Sequence, residues 1–88
     1  MKKRIKTKYH FYILKCKDKT LYCGQTKDLM NRSRMHNAGI GSKYVRAHGG
    51  GKIVYSESYQ KLGDAMRREI EIKKWPRARK LKLIKSRR

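Results

Sequence analysis

The sequence predicts a small α+β domain, a three-stranded antiparallel sheet flanked by helices in the order strand, strand, helix, strand, helix, helix. Three observations predict it. The 88 residues allow one domain with one modest core. Two runs rich in strand-forming residues near the start are parted by a short polar turn, the pattern of a hairpin. A third such run is followed by two helical stretches, and helices are the only cover available for the apolar face of the sheet.

Residues 1–8 are a basic arm with little to bury and are expected to be loose; 9–85 form the domain, and 86–88 are a basic tail. Tyr9 to Cys16 is the first strand, Lys17-Asp18-Lys19 the turn, and Thr20 to Gln25 the second strand. Side chains alternate along a strand, so Tyr12 and Tyr22 share a face only if Cys16 lies opposite Thr20, across an odd-length turn. The same register separates Cys16 from Cys23, predicting two buried free thiols and no disulfide. Asp28 can cap a helix running to Asn37, with Gly39 as its stop. A short helical turn is expected around Ser42 to Ala47. Gly49-Gly50-Gly51 reads as a flexible connector, and as a phosphate cradle it lacks the strand-to-helix setting. Lys52 to Ser58 is the third strand. Lys61 to Lys74 is the longest helix, stopped by Pro76, and Arg77 to Ile84 is a last short one.

Charge narrows the function. There are 26 Lys plus Arg against 6 Asp plus Glu, a formal net charge of +20. Self-repulsion of that size opposes folding, so a polyanionic partner is the natural explanation. Nucleic acid fits, because Lys and Arg that neutralise phosphates release counterions. A membrane does not: no apolar run spans a bilayer, and the basic start lacks a secretory apolar core. A cytoplasmic location is expected. The candidate phosphate contacts are Lys27, Arg34, Lys43, Arg46, Lys73, Lys74, Arg77 and Lys80.

On the longest helix, Leu62, Ala65, Met66, Ile70 and Ile72 fall on one broad face, with Glu69 in its middle. An acid there needs a cation. Either a lysine or arginine supplies it as a structural ion pair, or Glu69 is a ligand for a hard divalent ion. The stripe alone does not choose between them. Glu71 points elsewhere, as a solvated acid. On the first helix Arg32 and His36 are neighbours at i and i+4, able to share a phosphate or to be two unrelated surface groups. Tyr12 and Tyr22 are either core residues with locally bonded hydroxyls or stacking platforms.

His10-Phe11-Tyr12 and Tyr22-Cys23-Gly24 are two short triplets with their tyrosines ten residues apart. Thr26-Lys27-Asp28-Leu29, Asn31-Arg32, His36-Asn37, Gly41-Ser42-Lys43-Tyr44, Val54-Tyr55-Ser56 and Ala65-Met66-Arg67-Arg68-Glu69 follow in order. Together these segments resemble the motifs of the GIY-YIG nuclease family, particularly its small stand-alone bacterial members and the N-terminal nuclease domain of the excinuclease C subunit. The resemblance runs from Tyr9 to Ile84. It implies that Arg32 contacts the scissile phosphate, that Glu69 holds one Mg²⁺ or Mn²⁺ ion, and that Tyr12 and Tyr22 line the site. One tyrosine or His36 would help deprotonate the attacking water. The first triplet lacks its Gly and Ile, Gln25 stands where some members carry lysine, and the late polar residue that many members have, often Asn, has no match after Trp75. The implied activity is an endonuclease acting on DNA with low sequence preference, in repair or recombination, with a protein partner supplying targeting. The rival reading is a non-catalytic module that binds RNA or DNA through the same basic face.

Overall fold

The computed structural model describes residues 8–40 and 42–86. Most of the basic arm, Gly41 within the glycine-rich stretch, and Arg87 and Arg88 of the tail lie outside the described residues. The elements are β1 (Tyr9–Cys16), β2 (Leu21–Thr26), α1 (Leu29–Asn37), α2 (Lys43–Ala47), β3 (Gly51–Tyr59), α3 (Leu62–Lys73) and α4 (Arg77–Lys85). The α+β class and the order of the main elements are as expected, with the short helical turn present as α2.

The sheet is antiparallel with strand order β2-β1-β3. β1 is central, which explains its nearly continuous apolar run: both of its faces are covered. Phe11 and Ile13 join Cys23, Tyr55 and Ile72 on one side, where Trp75, Leu83 and Ile84 of the C-terminal helical region pack against them. Tyr12, Leu14 and Cys16 join Val45 on the other, with Leu29 and Ile53 beside them. The domain is therefore a sheet between two helical layers, each with its own small core.

The expected hairpin register is present. Tyr12 pairs with Gly24 and Leu14 with Tyr22, so the pairs sum to an even number. The turn closes through Cys16 N–H to Thr20 O at 2.8 Å and Lys19 N–H to Cys16 O at 2.8 Å. Lys19 has φ of 75°, the left-handed residue that a three-residue hairpin loop commonly uses. Asp18 anchors the turn, accepting from the Thr20 N–H at 3.1 Å and the Thr20 hydroxyl at 2.7 Å. Its other oxygen meets the His48 ring after α2. Cys16 and Cys23 are buried free thiols in opposite cores, as the register requires.

β3 carries an irregularity. Ile13 faces Tyr55, but Leu14 faces Ile53, leaving Val54 as an extra residue. Two residues apart on a regular strand, Ile53 and Tyr55 would point the same way. The bulge sends Tyr55 into one core and Ile53 into the other.

Two expectations need correction. Of the three glycines read as a flexible connector, Gly50 and Gly51 are packed instead. Gly50 and Gly51 are buried, and a Cβ on Gly51 would lie 2.6 Å from both Leu14 Cδ2 and Lys15 O. Gly50 has φ of 84°; its N–H donates to Val45 O at 2.9 Å and its carbonyl accepts from Lys17 N–H at 2.9 Å. These are close-packing positions that only glycine fits. The apolar stripe of α3 is also only partly internal. Ala65 and Ile72 are fully buried, but Leu62, Met66 and Ile70 are exposed. The helix is rotated because Arg68, at 24% side-chain exposure, turns inward to make a bidentate ion pair with Glu57 on β3 (Nε–Oε1 2.8 Å, Nη2–Oε2 2.9 Å). The Tyr55 and Tyr59 hydroxyls also donate to Glu57. Burial opposes the charge on Glu57, but Arg68 and the two tyrosines outweigh it and lower its pKa.

Candidate active site

Tyr12 is the centre of the site, and Gly24 explains its position. The two face each other across β1 and β2, and a Cβ on Gly24 would lie 2.6 Å from the Tyr12 hydroxyl and 2.8 Å from its Cζ. With no side chain there, the phenol lies over the β2 backbone. Its hydroxyl is 2.9 Å from His36 Nε2 on α1.

α1 supplies two candidate groups. It starts at Asp28, whose carboxylate accepts from Asn31 N–H at 3.0 Å, a side-chain N-cap. The helical repeat then places Arg32 and His36 one turn apart. His36 is fully buried, and its Nδ1 has no hydrogen-bond partner among the described residues. Burial, then the nearby Arg32 charge, push its pKa below the ordinary histidine value. Neutral at pH 7, His36 can accept the Tyr12 hydroxyl at Nε2 in the tautomer that carries its proton on Nδ1.

Arg32 is half-buried and has no carboxylate partner among the described residues, in contrast to Arg68, which holds two. It lines an open cleft of about 460 Å³ with Lys27 and Leu62. Glu69, at 20% side-chain exposure, pairs with Lys73 at 3.0 Å, one turn along α3. The ion-pair alternative for Glu69 thus exists, but its cation is 55% exposed rather than buried. Tyr12 feels all of these groups. Burial raises its pKa far above that of free tyrosine; Tyr22 adds to the shift, Arg32 opposes it and Glu69 reinforces it.

Tyr22 stands 6.4 Å from Tyr12 and 5.8 Å from His36, ring centroid to centroid. It stacks on Tyr44 of α2 at 5.5 Å, and Tyr44 meets His48 at 4.3 Å. Tyr12, Tyr22 and His36, from two strands and a helix, therefore touch one another, Arg32 is one turn from His36, and the charges of Arg32 and Glu69 both reach Tyr12. Of the candidate phosphate contacts, Lys27, Arg34, Lys43, Arg46, Lys73, Lys74 and Arg77 are exposed and Lys80 is half-buried. Lys27 lies in the Arg32 cleft, and Lys73 is tied to Glu69.

Among the described residues no three His, Cys, Asp or Glu side chains converge as a metal cage. Glu69 is a single carboxylate, the kind of ligand that Mg²⁺ takes together with water and phosphate oxygens. Glu57 and Arg68 were missed by sequence reasoning. The signal was Tyr55-x-Glu57-x-Tyr59, an acid flanked on its own strand face by two tyrosines. Its role is structural, since both members are engaged with each other.

A small three-stranded sheet between helices, with a buried Tyr–His pair on it, is consistent with a nuclease-type fold. Residues 8–82 match the GIY-YIG catalytic domain, and the chain belongs to that family. Similar proteins include a UPF0213 protein of Staphylococcus haemolyticus, 45% identical over 80 residues, covering 91% of this chain and 98% of that one. A UPF0213 protein of Clostridium perfringens is 48% identical over 77 residues, covering 88% and 83%. The solution NMR structure of a UPF0213 protein from Bacillus halodurans has a TM-score of 0.57 at 36% identity, covering 89% of this chain and 83% of that one. No helix among the described residues is long and apolar enough to cross a membrane.

Proposed function

We propose that this chain is a divalent-metal-dependent endonuclease that hydrolyses phosphodiester bonds in DNA with little sequence preference. It would act in the cytoplasm in repair or recombination, with a protein partner supplying targeting. The observation that carries this reading is Arg32, an arginine with no carboxylate partner among the described residues, one helical turn from a buried neutral histidine. Such a cation is suited to an incoming phosphate.

In this reading Arg32 clamps a phosphate oxygen, stabilising charge as it develops in the transition state. A Mg²⁺ or Mn²⁺ ion held by Glu69 would add positive charge against the phosphate oxygens. Burial keeps Tyr12 protonated, so the phenol alone is a poor base. Paired with neutral His36 it becomes a relay: the Tyr12 oxygen takes a proton from water while its own proton passes to His36 Nε2. Tyr22 packs against both rings and keeps them oriented. Lys73 can leave the half-exposed pair with Glu69 to meet phosphate, and the exposed lysines and arginines hold the backbone.

The Glu69–Lys73 pair also favours a second reading, a nucleic-acid-binding module without catalysis in which Glu69 is structural. Incubation with duplex, single-stranded, flapped and branched DNA, with Mg²⁺ and with EDTA, separates them. Cleavage that EDTA abolishes supports the nuclease. Tight, EDTA-insensitive binding with no cleavage of any substrate supports the module.

A further inference from the structure

The cleft beside Arg32 holds more than a phosphate needs. At about 460 Å³ it is of the size of small-molecule sites, which run from roughly 300 to 1,000 Å³. Besides Thr26 and Asp28, its walls are of three kinds. Lys27 and Arg32 bring positive charge, and neither has a carboxylate partner among the described residues. Tyr9 and Leu62 bring apolar surface, and Leu62 is left 41% exposed. Gln25 and Asn31 bring carboxamides. Half-buried Gln25 makes no side-chain hydrogen bond to another described residue, and Asn31 makes only long ones, 3.6 Å to Met35 Sδ and 3.4 Å from Arg34. Inorganic phosphate would use the two cations and leave the rest idle. A nucleotide uses all three kinds of wall.

We infer that this cleft is a subsite for one nucleotide of the substrate strand, next to the phosphate at Arg32, and that Gln25 reads the edge of its base. Its phosphate meets Lys27 and Arg32, and its base rests between Tyr9 and Leu62. A carboxamide presents a donor and an acceptor side by side, the complement of the adenine edge. Asp28 lies in the same wall with Oδ1 committed to the α1 cap, so it favours an amino group there over a second phosphate. Adenine is the base expected. The inference rests on the nuclease reading only for the passage of a strand through the cleft, and it adds a preference at one position to an otherwise unselective enzyme.

The test is an NMR titration of the ¹⁵N-labelled full chain with each of the four deoxynucleoside 5′-monophosphates, and with inorganic phosphate. Deoxyadenosine monophosphate should move the Gln25 and Asn31 side-chain amide signals, with a Kd at least about fivefold below that of the thymidine nucleotide. Inorganic phosphate should leave both amides unmoved. Gln25→Ala and Gln25→Glu should each bring the four affinities together. Equal affinities for the four bases in the parent, or a Gln25 amide that no nucleotide moves, would overturn the subsite. Cleavage of a randomised oligonucleotide pool is read separately. A chain that cuts nothing but shows the base preference keeps the subsite and loses the nuclease reading. A chain that cuts while Gln25 stays unmoved loses the subsite alone.

Discussion

Gly24 and Tyr12 face each other across the β1–β2 hairpin, and the absent side chain of one is the space the other occupies. A Cβ at Gly24 would lie 2.6 Å from the Tyr12 hydroxyl, the group that is bonded to His36. The glycine of the second triplet is thus set by the tyrosine of the first, rather than by any need for an unusual backbone angle.

Gly24→Ala is therefore expected to displace the phenol and break the Tyr12–His36 bond. Overpacking of this kind costs roughly 1–3 kcal/mol. Thermal melting should show that loss. Cleavage per folded molecule should fall as well, because the relay is broken. An alanine variant with parental stability and activity would refute this account of the site.

His36 carries a pH signature. Its folded pKa is depressed, so the neutral ring contributes stability that is complete above the unfolded value near 6.5 and lost as pH falls through the lower folded value. Since the neutral form is the acceptor, the acid limb of the pH–rate profile should lie below about 6.5. Burial is the larger cause and Arg32 the smaller. In Arg32→Met the His36 titration, followed by NMR, should move up but stay below the free value. A titration at or above the free value in the parent protein would contradict the buried neutral ring.

Glu57 and Arg68 offer a structural counterpart. Arg68→Leu leaves a carboxylate at 17% exposure without its cation, a loss of roughly 2 kcal/mol after allowing for partial exposure. Folding lowers the pKa of Glu57, so its contribution is complete above the unfolded value near 4.3 and lost as pH falls through the folded value. The parent should therefore lose melting temperature on acidification faster than Glu57→Gln does. Parallel curves would remove this pair from the acid response.

The basic surface predicts salt dependence. Affinity for duplex DNA should fall with a log–log slope of roughly −0.9 per phosphate neutralised. Replacing exposed Lys43 and Arg46 by glutamine should make the slope shallower by up to about two contacts and weaken binding on every sequence alike. Affinity indifferent to salt would contradict a polyanion as partner.

Much of this was legible in the sequence because it rests on local or periodic chemistry. The Tyr12–Tyr22 spacing specified the hairpin register, Asp28 and Ser42 announced their helices, and Arg32 and His36 sit one turn apart whatever surrounds them. What stayed hidden depends on long-range partners. The orientation of α3 follows from Arg68 finding Glu57 eleven residues earlier, and helical periodicity alone favoured Leu62, Met66 and Ile70 as internal. The bulge at Val54 matters only because two cores compete for Ile53 and Tyr55. Gly50 looked flexible until His36 O was found 3.0 Å from where its Cβ would be.

Glu69 separates the two functional readings most cleanly. Its cation, Lys73, is 55% exposed, so Glu69→Gln strands no buried charge and should cost under about 1 kcal/mol, as for an i,i+4 surface pair. If Glu69 holds the catalytic metal, the variant should remain folded and bind DNA at least as tightly, since a negative charge near the phosphate has gone. Cleavage should fall by several orders of magnitude, because the metal supplies much of the transition-state charge stabilisation. If Glu69 is only the partner of Lys73, cleavage per folded molecule stays near the parental rate. Thermal stability, DNA affinity and single-turnover cleavage, measured together on one variant, separate these outcomes. Glu71→Gln is the control: Glu71 is 54% exposed, and Arg68, its partner at 3.1 Å, keeps Glu57 when it is lost. A fully active Glu69→Gln protein ends the metal-ligand role, while an inactive one that melts with the parent and still binds DNA leaves catalysis as the only function lost.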